Sequence, residues 1–255
     1  MDSGRARTRL FVGDDLAPGE SVEVGRAQAH YLANVLRLKP GATVALFNGR
    51  DGEWVASLAE ALRGRVVLAI DSQTRPQVAE PDLWLLFAPI KCAPIDLVAA
   101  KATELGVSAI HSVRTRRTVI GRVNLERLRA NAIEAAQQCG RLSVPEIRAP
   151  ARLEDVLADW PAGRRLLVLD ESGSGAPIAA ALGGTGEGSW AVLVGPEGGF
   201  ERSELDDLRN MPFVTAIGMG PRILRSETAA LAALACWQAL LGDWGKAPPV
   251  PSPGA

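Results

Sequence analysis

In the N-terminal part of the chain, apolar side chains come in short runs broken by polar ones. Arg9–Val12, Ser21–Val24, Thr43–Asn48, Glu53–Leu58 and Arg65–Ile70 each read as a short strand. Asn48-Gly49 and Asp51-Gly52 supply the positive φ that a hairpin turn between the third and fourth runs demands. Ala27–Leu36 has helical spacing, with Tyr31, Leu32, Val35 and Leu36 on one side. Short strands with one helix predict a compact β-barrel, and Gln73–Pro81, with Pro76 and Pro81, reads as the linker out of it.

From residue 82 the apolar runs become continuous. Leu83–Ala88, Leu166–Leu169 and Trp190–Val194 have no polar alternation, which predicts strands covered on both faces. Ala109–Val113 and Phe213–Ile217 add two more strands. Helices are expected at Ile95–Leu105, Asn124–Cys139, Leu153–Trp160, Glu204–Leu208 and Glu227–Leu241, the first ending at Gly106. This strand–helix alternation predicts an α/β domain with a largely parallel sheet. The predicted organisation is a small β-barrel over residues 1–75, an α/β domain over 76–246, and a frayed Pro-rich tail over 247–255.

Composition excludes several classes. The chain has 255 residues, 47% hydrophobic and 22% charged, so disorder throughout is ruled out. No apolar run reaches the roughly 18 residues of a membrane helix, and MDSGRARTRL lacks a signal-peptide core, so a soluble cytoplasmic protein is expected. Cys92, Cys139 and Cys236 are odd in number and widely spaced, as suits reduced thiols. His30 and His111 are the only histidines, which leaves no histidine-rich zinc site and little material for a Ser-His-Asp hydrolase. Acid–base work falls to Arg, Lys, Asp or Glu, and no metal is expected. Arg114 to Arg129 holds six arginines against Glu126 alone, a local excess of +5 in a chain whose net charge is −1. That is a phosphate-binding footprint or a solvated helix face.

Ligands of open α/β sheets sit beyond the carboxyl ends of the strands. Three loops qualify: Asp170–Gly175, Gly195–Phe200, and Gly218 through Arg225 to Thr228. Gly173-Ser-Gly175 and Gly218-Met-Gly220 lack the third glycine of a dinucleotide fingerprint, and no P-loop occurs. Gly195-Pro-Glu-Gly-Gly199 puts bare backbone against a second stretch of chain or a flat ligand, or forms a plain tight turn into an acidic helix start. Ser226 is suited to cap the last helix with Glu227 against its dipole. Neither role accounts for Arg222 and Arg225, placed between a buried strand and a helix that is apolar all round.

Val194-Gly-Pro-Glu-Gly-Gly-Phe200, Ile217-Gly-Met-Gly-Pro-Arg-Ile-Leu-Arg-Ser-Glu-Thr-Ala229 and Glu134-Ala-Ala-Gln-Gln-Cys-Gly-Arg141 with Val144-Pro-Glu-Ile together resemble the RsmE family. These are 16S ribosomal RNA uridine-N3 methyltransferases of the SPOUT (trefoil-knot) class. Arg7-Thr-Arg-Leu-Phe-Val12, His30-Tyr-Leu-Ala-Asn-Val-Leu-Arg37 and Lys101-Ala-Thr-Glu-Leu-Gly106 extend the resemblance over residues 7 to 244. It implies a PUA-like RNA-binding barrel, a knotted methyltransferase domain that binds S-adenosylmethionine, and a homodimer with active sites at the subunit interface. It implies cofactor contacts from Leu169, Gly195, Glu197, Gly198, Ile217, Gly218, Leu224, Arg225, Thr228 and Ala229. Backbone groups of the glycines, Ile217 and Leu224 would read the adenine edge.

The same resemblance puts Arg225 and Glu227 at the reacting groups and gives RNA phosphates to Arg7, Arg9, Arg37, Arg116 and Arg117. Lys91 is a further cation placed on the RNA side. The uridine N3 proton must leave before the nitrogen attacks, either to a carboxylate such as Glu227 or with Arg225 or Lys91 stabilising the imide anion; the arginine route is favoured. Glu201 departs from the Ser or Thr common in relatives, so the side-chain cap of its helix is expected to be lost. Two other readings stay open at this stage. One is a Rossmann-like oxidoreductase, resting on the broken Gly-x-Gly loops; the other is a ribosome-associated RNA binder without catalysis, resting on the barrel and the charge.

Overall fold

The computed structural model of the chain describes residue 6 and residues 8–62, 64–89, 92–119, 123–186 and 188–247. It falls into two units. One takes the residues up to Ala79 together with Ala136–Val144, the other Glu80–Ala135 and the chain from Pro145.

In the first unit the elements are β1 (Arg9–Phe11), β2 (Ser21–Glu23), α1 (Arg26–His30), a π-helical turn (Tyr31–Val35), β3 (Thr43–Phe47), β4 (Glu53–Leu62) and β5 (Arg65–Arg75). They build one sheet in the order β1-β3-β4-β5-β2, parallel only between β1 and β3. The β3–β4 turn is held by Asn48, whose Oδ1 accepts the N–H groups of Arg50 at 2.9 Å and Asp51 at 2.8 Å. Strand β5 runs past the expected start of the linker because Gln73 and Arg75 still pair with Trp54 and Glu53. The core is made by Leu10, Val22, Val44, Leu46, Leu58, Leu68 and Leu32.

The helix expected over Ala27–Leu36 is interrupted. After α1 the turn widens, with the Leu36 N–H bonding the Tyr31 carbonyl at 2.9 Å. It closes with the Leu38 N–H on the Leu32 carbonyl at 2.9 Å and Arg37 at φ +51°. That is the left-handed position after a helix end, where glycine is usual and another L residue costs roughly 1 kcal/mol.

In the second unit the elements are β6 (Leu83–Phe87), α2 (Cys92–Glu104), β7 (Ala109–Arg114), α3 (Leu125–Cys139, its last turn in the first unit), β8 (Glu146–Arg152), α4 (Leu153–Ala158), β9 (Arg165–Leu169), β10 (Ala176–Pro177), α5 (Ile178–Leu182), β11 (Trp190–Val194), α6 (Arg202–Arg209), β12 (Val214–Gly218) and α7 (Ser226–Leu240). All seven strands are parallel, in the order β10-β12-β9-β11-β6-β7-β8. The continuous apolar runs are explained by alternation. Leu83, Leu85, Leu167, Leu169, Val192 and Val194 pack with Val98, Ala102, Leu234 and Trp237 of α2 and α7. Leu86, Leu166, Val168, Ala191 and Leu193 pack on the other face with Leu153, Leu205 and Leu208 of α4 and α6.

Asn124 caps α3 by accepting the Arg127 N–H at 3.0 Å, and Gly106 lies at φ +80° after α2. Strands β8 and β10 and helix α5 were not expected from the sequence. Among the described residues no helix is long and apolar enough to cross a membrane, and Cys139 and Cys236 are free thiols.

Candidate active site

The order β12-β9-β11 sets the carboxyl ends of three strands side by side, so the loops Asp170–Gly175, Gly195–Phe200 and Met219–Arg225 leave from one edge of the sheet. Asp170 directly follows β9, with its N–H on the Ile217 carbonyl at 2.9 Å and its side chain fully buried. Its Oδ1 accepts the Ser172 N–H at 2.9 Å, folding the loop back. Its Oδ2 pairs with Arg209 of α6, whose guanidinium also reaches Ser172 Oγ at 2.9 Å and Asp206 at 3.2 Å. Burial pushes the Asp170 carboxyl up, but the Ser172 hydroxyl and the Arg209 guanidinium outweigh it and hold it below the usual carboxylate range.

Gly175 lets this loop lie directly against β12. A Cβ there would sit 2.5 Å from the Ile217 carbonyl carbon and 2.7 Å from the Gly218 nitrogen. The Gly195–Phe200 loop turns through a Gly199 N–H to Pro196 carbonyl bond of 2.9 Å, and the Phe200 ring folds over Gly195. Glu171 reaches across from the first loop to accept the Phe200 N–H at 3.2 Å. Gly199 sits at φ +67°, and a Cβ on it would lie 1.9 Å from Glu171 Oε1. The backbone conformation therefore favours glycine there, and a side chain would displace the Glu171 carboxylate from the Phe200 N–H.

The arginine-rich segment after β7 docks on the same loop. Thr115 and Thr118 bond each other to make a tight turn, and the Arg116 N–H donates to Oε1 of the buried Glu204 at 3.2 Å. The Arg116 side chain bonds Ser203 Oγ at 2.6 Å and lies within 4.0 Å of Glu154, Glu201 and Asp207. Arg117 instead bonds the Gly198 carbonyl at 2.9 Å and stays exposed.

The third loop is different. Pro221, Arg222, Ile223 and Arg225 are all exposed, Ile223 to 92%. A Cβ on Gly220 would meet nothing within 4 Å. Arg225, not Ser226, occupies the N-cap of α7, with no side-chain cap bond; its carbonyl accepts the Ala229 N–H at 2.8 Å. Glu227 lies in the first turn, as expected for a helix-dipole partner. Glu201 caps α6 through its backbone alone, so the expected loss of a side-chain cap is observed.

The other candidate residues are placed as follows. Leu169, Gly195, Glu197, Gly198, Ile217, Gly218, Leu224, Arg225, Thr228 and Ala229 all lie at these strand ends and loops or in the first turn of α7. Ile217 is fully buried, and its carbonyl already serves Asp170. In the first unit Arg37 is exposed, whereas Arg9 is engaged. Arg9 Nε bonds Glu53 at 2.7 Å, and its Nη atoms bond the carbonyls of Ala136, Gln137 and Arg141 at 2.7–3.0 Å. Its guanidinium thus closes the carboxyl end of α3. Arg7, Lys91 and the tail beyond residue 247 lie outside the described residues. Glu171 and Arg209 had no assigned role in the sequence, and Glu204 was read only as part of an acidic helix start. The hint was an acidic pair, Asp170-Glu171, immediately after a buried apolar run.

Residues 78–238 match the RNA methyltransferase domain family, and residues 24–71 match the RNA methyltransferase PUA domain. The chain belongs to the RNA methyltransferase family. Its relatives include ribosomal RNA small subunit methyltransferase E of Rickettsia conorii, 32% identical over 89% of this chain and 93% of that one. The methyltransferase fold also matches the ribosomal RNA small subunit methyltransferase E of Neisseria gonorrhoeae bound to S-adenosyl methionine. That match has a TM-score of 0.84 and 28% identity over 93% of this chain and 99% of that one. A methyltransferase of Legionella pneumophila in complex with the same cofactor matches with a TM-score of 0.82 and 28% identity, over 94% of this chain and 100% of that one.

Proposed function

We propose that this methyltransferase transfers a methyl group from S-adenosylmethionine to N3 of a uridine in the 16S ribosomal RNA of the small subunit. The observation that carries the reading is the trio of glycine-bearing loops at the ends of β9, β11 and β12. The peptide groups at Gly195, Gly198 and Gly218 lie at these strand ends and would offer hydrogen bonds to a flat adenine edge, with open space beside Gly198. Leu169 and Leu224 would flank it, with Ile217, Glu197, Arg225, Thr228 and Ala229 completing the contacts. S-adenosylmethionine, when bound, supplies an electrophilic methyl carbon on a sulfonium that is already a good leaving group.

The protein's work is then to make the uridine nitrogen a nucleophile. Arg225 would stabilise the imide anion as the N3 proton departs, and Glu227 is the nearest carboxylate in sequence able to receive it. The new N3–C bond forms as the C–S bond breaks, leaving the neutral thioether. Arg37 and Arg117, both exposed, would hold RNA phosphates, along with Arg7 and Lys91. Arg9 and Arg116 support this indirectly, by fixing the backbone around them.

Residues 1–75 would serve as the RNA-binding barrel and 76–246 as a knotted catalytic domain. Helix α7, apolar on every side from Ala229 to Trp237 and ending at Leu240, which like Trp244 is exposed to 53%, supports a homodimer covering that face. With ribosomal RNA as substrate the enzyme would work in the cytoplasm. Calorimetric titration with S-adenosylmethionine, with NAD as the control ligand, tests the reading. Saturable binding of the methyl donor near one per subunit, followed by methyl transfer to small ribosomal subunits, is expected. Binding of NAD in its place would overturn it.

A further inference from the structure

From Val24 to Arg50 the chain contains no Asp or Glu, but it has Arg26, Arg37, Lys39 and Arg50 along with His30. Among the described residues no ion pair involves Arg26, Arg37 or Lys39, and all three are exposed. The π-helical turn lies in the middle of this acid-free stretch. It leaves Tyr31, the one tyrosine of the chain, exposed to 39%, while the neighbouring Leu32 is wholly buried. Six residues on, Arg37 holds the left-handed backbone that glycine would adopt without strain.

Two departures from regular backbone in one short segment thus carry an exposed aromatic ring and, six residues on, an unneutralised cation. π-turns and left-handed non-glycine residues concentrate where a ligand makes use of them. Leu32 and Leu38, both buried, fix the segment to the core from either side. The display is therefore built into the fold.

We propose that this segment is a subsite for one unpaired nucleotide of the RNA. Tyr31 stacks on the base, and Arg37 with Lys39 holds the adjoining phosphate. The proposal rests on the reading of the chain as an enzyme acting on RNA, and adds where and in what form the strand is gripped outside the methyl-transfer site. Stacking requires an exposed π-face, which a nucleotide in a duplex does not offer, so this subsite selects single-stranded RNA. An arginine at the strained position is kept at the expense of stability because a glycine there could not reach a phosphate.

The test uses the full chain and measures fluorescence anisotropy with a labelled oligouridine and with an RNA duplex of equal length, across a salt series. Tyr31→Ala should weaken oligouridine binding by about 5- to 100-fold and leave duplex binding unchanged, with Tyr31→Phe near wild type. Arg37→Gly should raise the melting temperature by about 2–5 °C while weakening binding and lowering the salt slope by about 0.7. The subsite is disproved by an unaltered oligouridine affinity in Tyr31→Ala, by equal weakening on the duplex, or by a lower melting temperature in Arg37→Gly. Wild-type protein that binds neither RNA overturns the RNA reading itself, and the subsite with it.

Discussion

Loops Gly195–Phe200 and Met219–Arg225 follow two strands of the same sheet that flank β9, yet they are held in opposite ways. The first is tied down from three sides: Glu171 holds its Phe200 N–H, Arg117 its Gly198 carbonyl, and the Phe200 ring covers Gly195. The second exposes Arg222, Ile223 and Arg225 and has empty space around Gly220. A loop whose own side chains fix it can present backbone groups at set positions before anything binds, which is what recognition of a rigid ring requires. A loop left open carries groups that become ordered against an incoming partner. The pinned loop is the one suited to hold a cofactor, and the open loop the one suited to meet a substrate.

If that division is right, the largest loss of turnover comes from the open loop. Arg225→Ala should lower kcat by about 100- to 1,000-fold, a larger loss than the accompanying loss of methyl-donor affinity, read by single-turnover methyl transfer and calorimetry. A variant with ordinary kcat would remove Arg225 from the chemistry. Beside the pinned loop, Glu171→Ala frees the Phe200 N–H and should weaken methyl-donor binding by about 5-fold, with kcat nearly kept. Glu171→Gln, which still offers an acceptor oxygen, should restore most of it; equal losses in both variants would mean that the hydrogen bond is not what positions the loop.

The smallest effect on turnover at neutral pH is expected at Asp170, which starts the neighbouring loop that carries Glu171, and it is visible in acid. The folded Asp170 carboxyl lies below its ordinary value of 3.8, so its contribution to stability is complete above that pH. The contribution is lost as pH falls through the lower, folded value. Asp170→Asn should flatten the acid limb of the stability curve below about pH 4. An acid limb as steep as that of wild type would show that the Arg209 pair contributes nothing to it.

The sheet was legible because its strands are apolar on both faces, a pattern that few other structures tolerate. Strand β8 was not, since Arg148 and Pro150 break any alternation; it is tolerated because β8 is an edge strand, paired only with β7. The interruption at Tyr31 was hidden because a π-turn keeps nearly the same apolar spacing as the helix it widens. The glycine loops could be found from their composition, but not what fixes them. Glu171 and Glu204 act on backbone N–H groups, and nothing in a one-dimensional pattern says which amide a carboxylate will meet. Arg9 shows the same limit from the other side. The family resemblance gives it to an RNA phosphate, but in the fold it is engaged by Glu53 and by carbonyls more than a hundred positions away.

That last arrangement sets an order of events during synthesis. The first unit includes Ala136–Val144, so when Ala79 leaves the ribosome the unit is still missing part of itself. The Arg9 guanidinium then has Glu53 but not its three carbonyls, and Phe47 lacks Ala136 and Leu142, which cover it in the finished protein. Translation must deliver β6, α2, β7 and most of α3 first, at about 5–20 residues per second. A nascent chain therefore carries a first unit that completes itself only after the second has begun to emerge.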